Sequence, residues 1–238
     1  LYYGFLVFSL VTLLYCRFVE KKNIEFAGFS GNPIEYLAGA LVATILLFII
    51  LGIGCLCGSI SFCGFSTNVN IKSILLWILA FGIQGATEEI MCRGFLLNSL
   101  KNRISIPLAI LISSTAFVFP HLSSLFEADF VYAVVGIINL YLVSIIFSIL
   151  VLWRSNIWIA CGLHSAWNFI LYVIMGLSLS GSESVSKGVV LFSVKDASIL
   201  NGAEYGIEAS VITTVVLGML LFVMVKGWKG RIGKDGIS

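Results

Sequence analysis

The chain has 238 residues, 59% of them hydrophobic and only 11% charged, with a formal net charge of +2 and a mean hydropathy of +1.07. That composition describes a multi-pass membrane protein and leaves no soluble domain of useful size. The slight positive charge fits a basic rim facing lipid headgroups and not a nucleic-acid partner.

Crossing a hydrocarbon core of about 30 Å takes about 20 residues of helix. Apolar runs of that kind recur at 1–18, 36–60, 72–99, 105–121, 131–152, 156–176 and 209–226. The first lacks the charged leader and small-residue cleavage site of a removable signal peptide, and the absence of Met at position 1 suggests a trimmed or partial start. The second ends among Cys55, Cys57 and Cys63; with no His nearby these read as ordinary thiols and not a zinc site, although a disulfide through Cys63 is conceivable. Cys16, Cys92 and Cys161 read as small buried hydrophobes.

The third run carries Glu88, Glu89 and Arg93, charges that cost about 2.5–3.5 kcal/mol each near a bilayer centre and are therefore read as functional. Gly82, Gly85 and Gly94 around them point to close helix approach. The fourth run ends in Phe117-Val-Phe-Pro-His121, where Pro120 predicts a local irregularity; Phe117 and Phe119 read as packing residues. The sixth holds His164-Ser-Ala-Trp-Asn168, whose spacing of four puts imidazole and carboxamide on one helical face, with Trp167 left open between cavity and packing. Trp77, Trp153, Trp158 and Trp228 are expected near the interfaces as an aromatic belt. Residues 178–208 are irregular, rich in Ser, Gly and charge, with room for a short re-entrant piece or an eighth helix.

The expectation is therefore an all-α, polytopic transmembrane bundle of about seven to eight helices, residues 1–238 forming one integral membrane domain with a motif-bearing core over about 70–225. With seven spans, Arg17, Lys21, Lys22, Lys101, Arg103, Arg154, Lys226, Lys229, Arg231 and Lys234 fall on one side, and Lys72, Lys187 and Lys195 on the other. The excess of basic residues marks the cytoplasmic face and puts the N-terminus outside and the C-terminus in the cytoplasm. Short loops suggest a prokaryotic cell membrane.

The three motifs, Glu88-Glu89-x-x-x-Arg93, Phe117-x-x-x-His121 and His164-x-x-x-Asn168, in that order on successive helices, resemble the CPBP family, which holds CAAX-type prenyl-protein endopeptidases and bacteriocin-processing or immunity proteins and is also called Abi. The resemblance covers about residues 25–225, with a weak echo in Asn201-Gly-Ala-Glu-Tyr-Gly-Ile-Glu208. It implies an intramembrane endopeptidase with a water-accessible catalytic cavity.

The chemistry also follows from the residues. Peptide hydrolysis needs an activated water, donors for the oxyanion and a proton for the leaving amine. Glu88 is the expected general base, His121 holds the water, and His164 and Asn168 donate to the oxyanion. Glu four residues before Arg is the favourable orientation of a helical ion pair, so Arg93 is expected to neutralise and position Glu89. A Zn2+ ion held by Glu88, His121 and His164 with an open fourth position is one form of the site, and a metal-free one is equally compatible.

The partners expected are the lipid bilayer and a peptide or protein substrate in or at it. Two other readings stay open: a catalytically idle relative serving in bacteriocin immunity or signalling, and a small transporter or proton relay. One conflict stands in the sequence: on straight helices rising 1.5 Å per residue, His164 lies shallow, Glu88 central and His121 near the outer boundary. Tilt, a break near Pro107 or a displaced fourth helix is needed to bring them together.

Overall fold

The computed structural model describes residues 2–183 and 188–235; of residues 2, 3, 24 and 228–235 only the backbone is described. Lys187 of the sparse basic set, and the side chains of Trp228, Lys229, Arg231 and Lys234, lie outside the described residues.

In lipid a chain can satisfy its own backbone groups over a long apolar run only as helix. Seven helices take up the seven runs: α1 (Tyr2–Phe18), α2 (Glu35–Leu56), α3 (Ile71–Leu100), α4 (Ile106–Glu127), α5 (Phe130–Arg154), α6 (Trp158–Ile174) and α7 (Val211–Asp235). α2 to α5 have 22, 30, 22 and 25 residues and are long and apolar enough to cross a membrane; α1, α6 and α7 carry shorter apolar stretches. The expected helical membrane bundle is what forms.

Pro107 lies in the first turn of α4, where its missing N–H leaves no bond unmade, so it starts that helix and does not break it. The irregularity falls at Pro120, where Phe119–His121 tightens into a 3-10 turn. α3 changes pitch directly after its glutamates, running as a π-helix over Ile90–Leu97, and α6 does the same over Ile170–Ile174. Wide turns of this kind are frequent at functional sites.

One end of the bundle gathers the connections that carry Arg17, Lys21, Lys22, Lys101, Arg103 and Arg154. Arg154 closes α5 and grips Glu35, the first residue of α2, at 2.9 and 2.7 Å. Ser30 Oγ donates to the Ser155 carbonyl at 2.7 Å, and Asn98 Nδ2 to the Phe26 carbonyl at 3.0 Å.

At the far end of α2 the sequence reading needs correction. The helix stops at Leu56, Gly58 turns the chain at φ +70°, and β1 (Ile60–Phe65) pairs antiparallel with β2 (Val190–Val194), Ile60 facing Val194 and Phe65 facing Val190. The alternating, β-branched and aromatic Val-Leu-Phe-Ser-Val suits a strand and is too short for a helix. Among the described residues, 178–208 hold this strand and two 3-10 turns and no eighth helix.

Helix association in lipid rests on close packing of small residues. α2 lies against α6 so tightly that a Cβ on Gly39 would sit 2.0 Å from the Ile159 carbonyl oxygen, and one on Gly162 1.9 Å from that of Tyr36. A Cβ on Gly85 would fall 2.5 Å from Ser165 Oγ of α6 and one on Gly94 2.3 Å from the Ala27 carbonyl oxygen, whereas one on Gly82 would meet nothing nearer than 3.9 Å. α1 leans on α3 through Ser9 Oγ and Thr87 Oγ1, 2.7 Å apart. All six cysteines are free, with Cys57 and Cys63 exposed.

Candidate active site

Successive helix positions are turned by about 100°, so Glu88 and Glu89 meet different surroundings. Glu88 lines a cavity of about 640 Å³ enclosed by α1, α3, α4, α5, α6, α7 and the chain before α7, while Glu89 has 0% exposure. His121, His164 and Asn168 line the same cavity as Glu88. The four expected catalytic residues thus face one space, of a size usual for ligand sites.

The side-chain geometry narrows the depth conflict. The His164 ring lies edge-on to Phe117 at 5.7 Å between centroids, and Phe117 lies 5.2 Å from His121 one turn further along α4. The cavity bridges what distance is left.

His164 is held from three directions. Its Nδ1 stands 3.0 Å from Glu89 Oε1 and its Nε2 3.9 Å from Glu88 Oε2. Phe147 stacks on the ring at 5.5 Å with the planes 27° apart. Because a carboxylate only accepts, the proton of a neutral His164 sits on Nδ1, which leaves Nε2 toward Glu88. The same logic applies to His121: its Nδ1 lies 3.0 Å from the Phe117 carbonyl, so Nδ1 donates and Nε2 is the free acceptor. Gln84 Nε2 donates to Glu88 Oε1 at 3.3 Å.

Glu89 and Arg93 form the expected pair, Oε1 to Nη1 at 2.9 Å, with both side chains at 0% exposure. Arg93 Nη2 donates to the Ser144 carbonyl at 3.1 Å and to Ser144 Oγ. Its guanidinium lies over Phe117 at 4.6 Å and Phe147 at 5.2 Å. Two buried charges removed from water need this degree of pairing, and the pair fixes the carboxylate that orients His164. Among the described residues no three His, Cys, Asp or Glu side chains stand together as a metal-binding group. Glu88, His121 and His164 share the cavity without converging on one ion position.

Several residues that face or brace the site were not expected. Phe119 is 72% exposed and packs nothing at the motif, whereas Phe117 is buried. Trp77, expected near an interface, stacks on Phe81 at 5.4 Å, meets Tyr172 edge-on and lines the cavity. Trp167 also faces the cavity and donates through Nε1 to Glu208 Oε1 at 3.0 Å. Glu208 Oε2 accepts from the Ser180 N–H at 2.6 Å and its hydroxyl at 3.1 Å.

Asn139 of α5 donates to the Glu208 and Ser210 carbonyls at 2.8 and 3.0 Å, pinning this loop. Burial, and then the Glu208 charge, push the nearby Tyr205 hydroxyl up to about 12. Of these, Gln84 had a readable signal in its spacing of four before Glu88, and Glu208 in the Gly- and Glu-bearing turn; Ser144 and Phe147 had none.

Fold and site together define a polytopic helical membrane protein with an acid, two imidazoles and a carboxamide around an internal cavity. Residues 70–170, which contain all three motifs, match the model of the family described as Rce1-like: type II CAAX prenyl endopeptidase Rce1-like. The match bears out the resemblance drawn from the motifs and supports an enzyme of the CAAX protease type. No curated protein and no solved structure matches the chain.

Proposed function

We propose that the chain is an intramembrane endopeptidase that hydrolyses a peptide bond of a membrane-delivered peptide or protein by a metal-free route. The observation that carries this reading is the shared cavity of Glu88, His121, His164 and Asn168. Water accepted between Glu88 and His121 Nε2 gives its proton to Glu88 as it attacks the scissile carbonyl. The oxyanion takes hydrogen bonds from the Asn168 amide and from Nε2–H of His164 in its imidazolium form, a cation flanked by Glu89 at 3.0 Å and Glu88 at 3.9 Å.

Glu88 then passes the proton to the leaving amine. Glu89 is a positioning residue in this scheme and Arg93 its counter-charge. The basic end of the bundle faces the cytoplasm, with the C-terminus on that side, in a prokaryotic cell membrane.

Reconstituted protein should cleave a membrane-bound peptide, and Glu88→Gln should lower kcat/KM by about 10²–10⁴-fold. His164→Ala and Asn168→Ala should each cost about 10²–10³-fold in kcat. Cleavage that survives both Glu88→Gln and His164→Ala removes the assignment. A tight chelator should leave activity intact, with no zinc by elemental analysis; loss of activity restored by Zn2+ would instead establish a metal-dependent site.

A further inference from the structure

Hydrolysis uses Glu88 and leaves unexplained a second carboxylate on the same cavity, that of Glu208. The cavity wall is otherwise largely aromatic and aliphatic, with Phe5, Phe8, Trp77, Phe81, Tyr172 and Leu217 on it. Among the described residues no Lys or Arg lines it. Arg93 is fully buried and committed to Glu89 and Ser144. None of the ion pairs among the described residues includes Glu208.

A carboxylate offers about four lone-pair sites. Three are taken by Trp167 Nε1 and the two Ser180 donors, which fix the group in place. Among the described residues the remaining site has no protein donor, and a charge in an apolar cavity gains most from a counter-charge that arrives with the ligand. Glu208 lines the same cavity as the oxyanion donors His164 and Asn168.

We propose that Glu208 is a specificity subsite that receives a Lys or Arg side chain of the substrate, so that the preferred substrate is an apolar peptide carrying a basic residue. The inference rests on the endopeptidase reading for the identity of the cavity. An acidic side chain in that subsite would meet a like charge. A loop clamp alone would have no use for the charge, because the amide oxygen of Gln can accept from Trp167 and Ser180; the charge is what the test must isolate.

Three fluorescent apolar peptides that differ at one position as Arg, Gln or Glu are titrated onto purified Glu88→Gln protein in detergent, and onto the same protein carrying Glu208→Gln as well. The Arg peptide should bind at least about tenfold tighter than the Gln peptide, and the Glu peptide more weakly still. The preference should vanish in the doubly substituted protein. Ser180→Ala is the control: it removes a donor from the clamp and leaves the charge, so the preference for Arg should persist.

Equal affinities, a preference unchanged by Glu208→Gln, or one abolished equally by Ser180→Ala overturns the proposal. Protein that binds with the expected preference while unsubstituted protein cuts none of the three peptides would sink the protease reading and leave the subsite standing.

Discussion

Glu89 Oε1 takes two partners at once, Arg93 at 2.9 Å and His164 at 3.0 Å, and Glu89 and Arg93 are fully buried. Stability and the proposed catalysis therefore meet at the same oxygen and can be pulled apart. Arg93→Met should cost about 3–5 kcal/mol, because it strands a buried carboxylate, and should lower the unfolding temperature in detergent sharply. Adding Glu89→Gln should recover most of that loss, since a neutral pair of similar volume carries no unmatched charge.

Activity should not recover with it: His164 would have lost its anionic partner, and kcat should stay depressed with KM little changed. A double variant with restored kcat would show that Glu89 only packs. The sequence made the Glu89–Arg93 pair legible because a spacing of four is a local rule. Ser144 and Phe147, which hold Arg93 and His164, lie on α5 and no local rule reaches them.

At the scale of elements, the seven helices were readable because continuous apolar runs have one solution in lipid. The strands were not, because Ile60–Phe65 is as apolar as the helix before it and only its pairing with Val190–Val194 separates the two. The glycines show the same limit: Gly85 and Gly94 make the close approaches expected beside the glutamates and Gly82 does not, while the close approaches of α2 and α6, at Gly39 and at Gly162, lay outside any motif. Gly162→Ala should destabilise by about 1–3 kcal/mol or more, since its Cβ would fall 1.9 Å from a backbone oxygen that cannot yield without moving α2. Gly82→Ala should be neutral or stabilising by up to about 1 kcal/mol, because helix propensity rises and the nearest atom is 3.9 Å away. Comparing unfolding temperatures of the two variants checks both; equal effects would mean that the α2–α6 crossing is looser than described.

For the molecule as a whole, the bundle has two unlike ends, and which one faces the cytoplasm decides from where the cavity is reached. One end carries the Arg154–Glu35 clamp and the basic connections; the other carries the β1–β2 ladder with Cys57 and Cys63 exposed beside it. Lysines and arginines near span ends tend to be retained on the cytoplasmic side, so the proposed orientation puts the ladder outside. A membrane-impermeant maleimide should therefore label the native Cys57 and Cys63 in intact cells. In a Cys57→Ser, Cys63→Ser background, a thiol introduced as Lys101→Cys should react only after permeabilisation. The buried Cys16, Cys92 and Cys161 should stay silent in both, which makes them an internal control. The reverse pattern, with position 101 labelled from outside, would invert the molecule. It would put the end nearer His164 outside, so that substrate approaching from the cytoplasm would meet the ladder and the Glu208 loop before it met the catalytic residues.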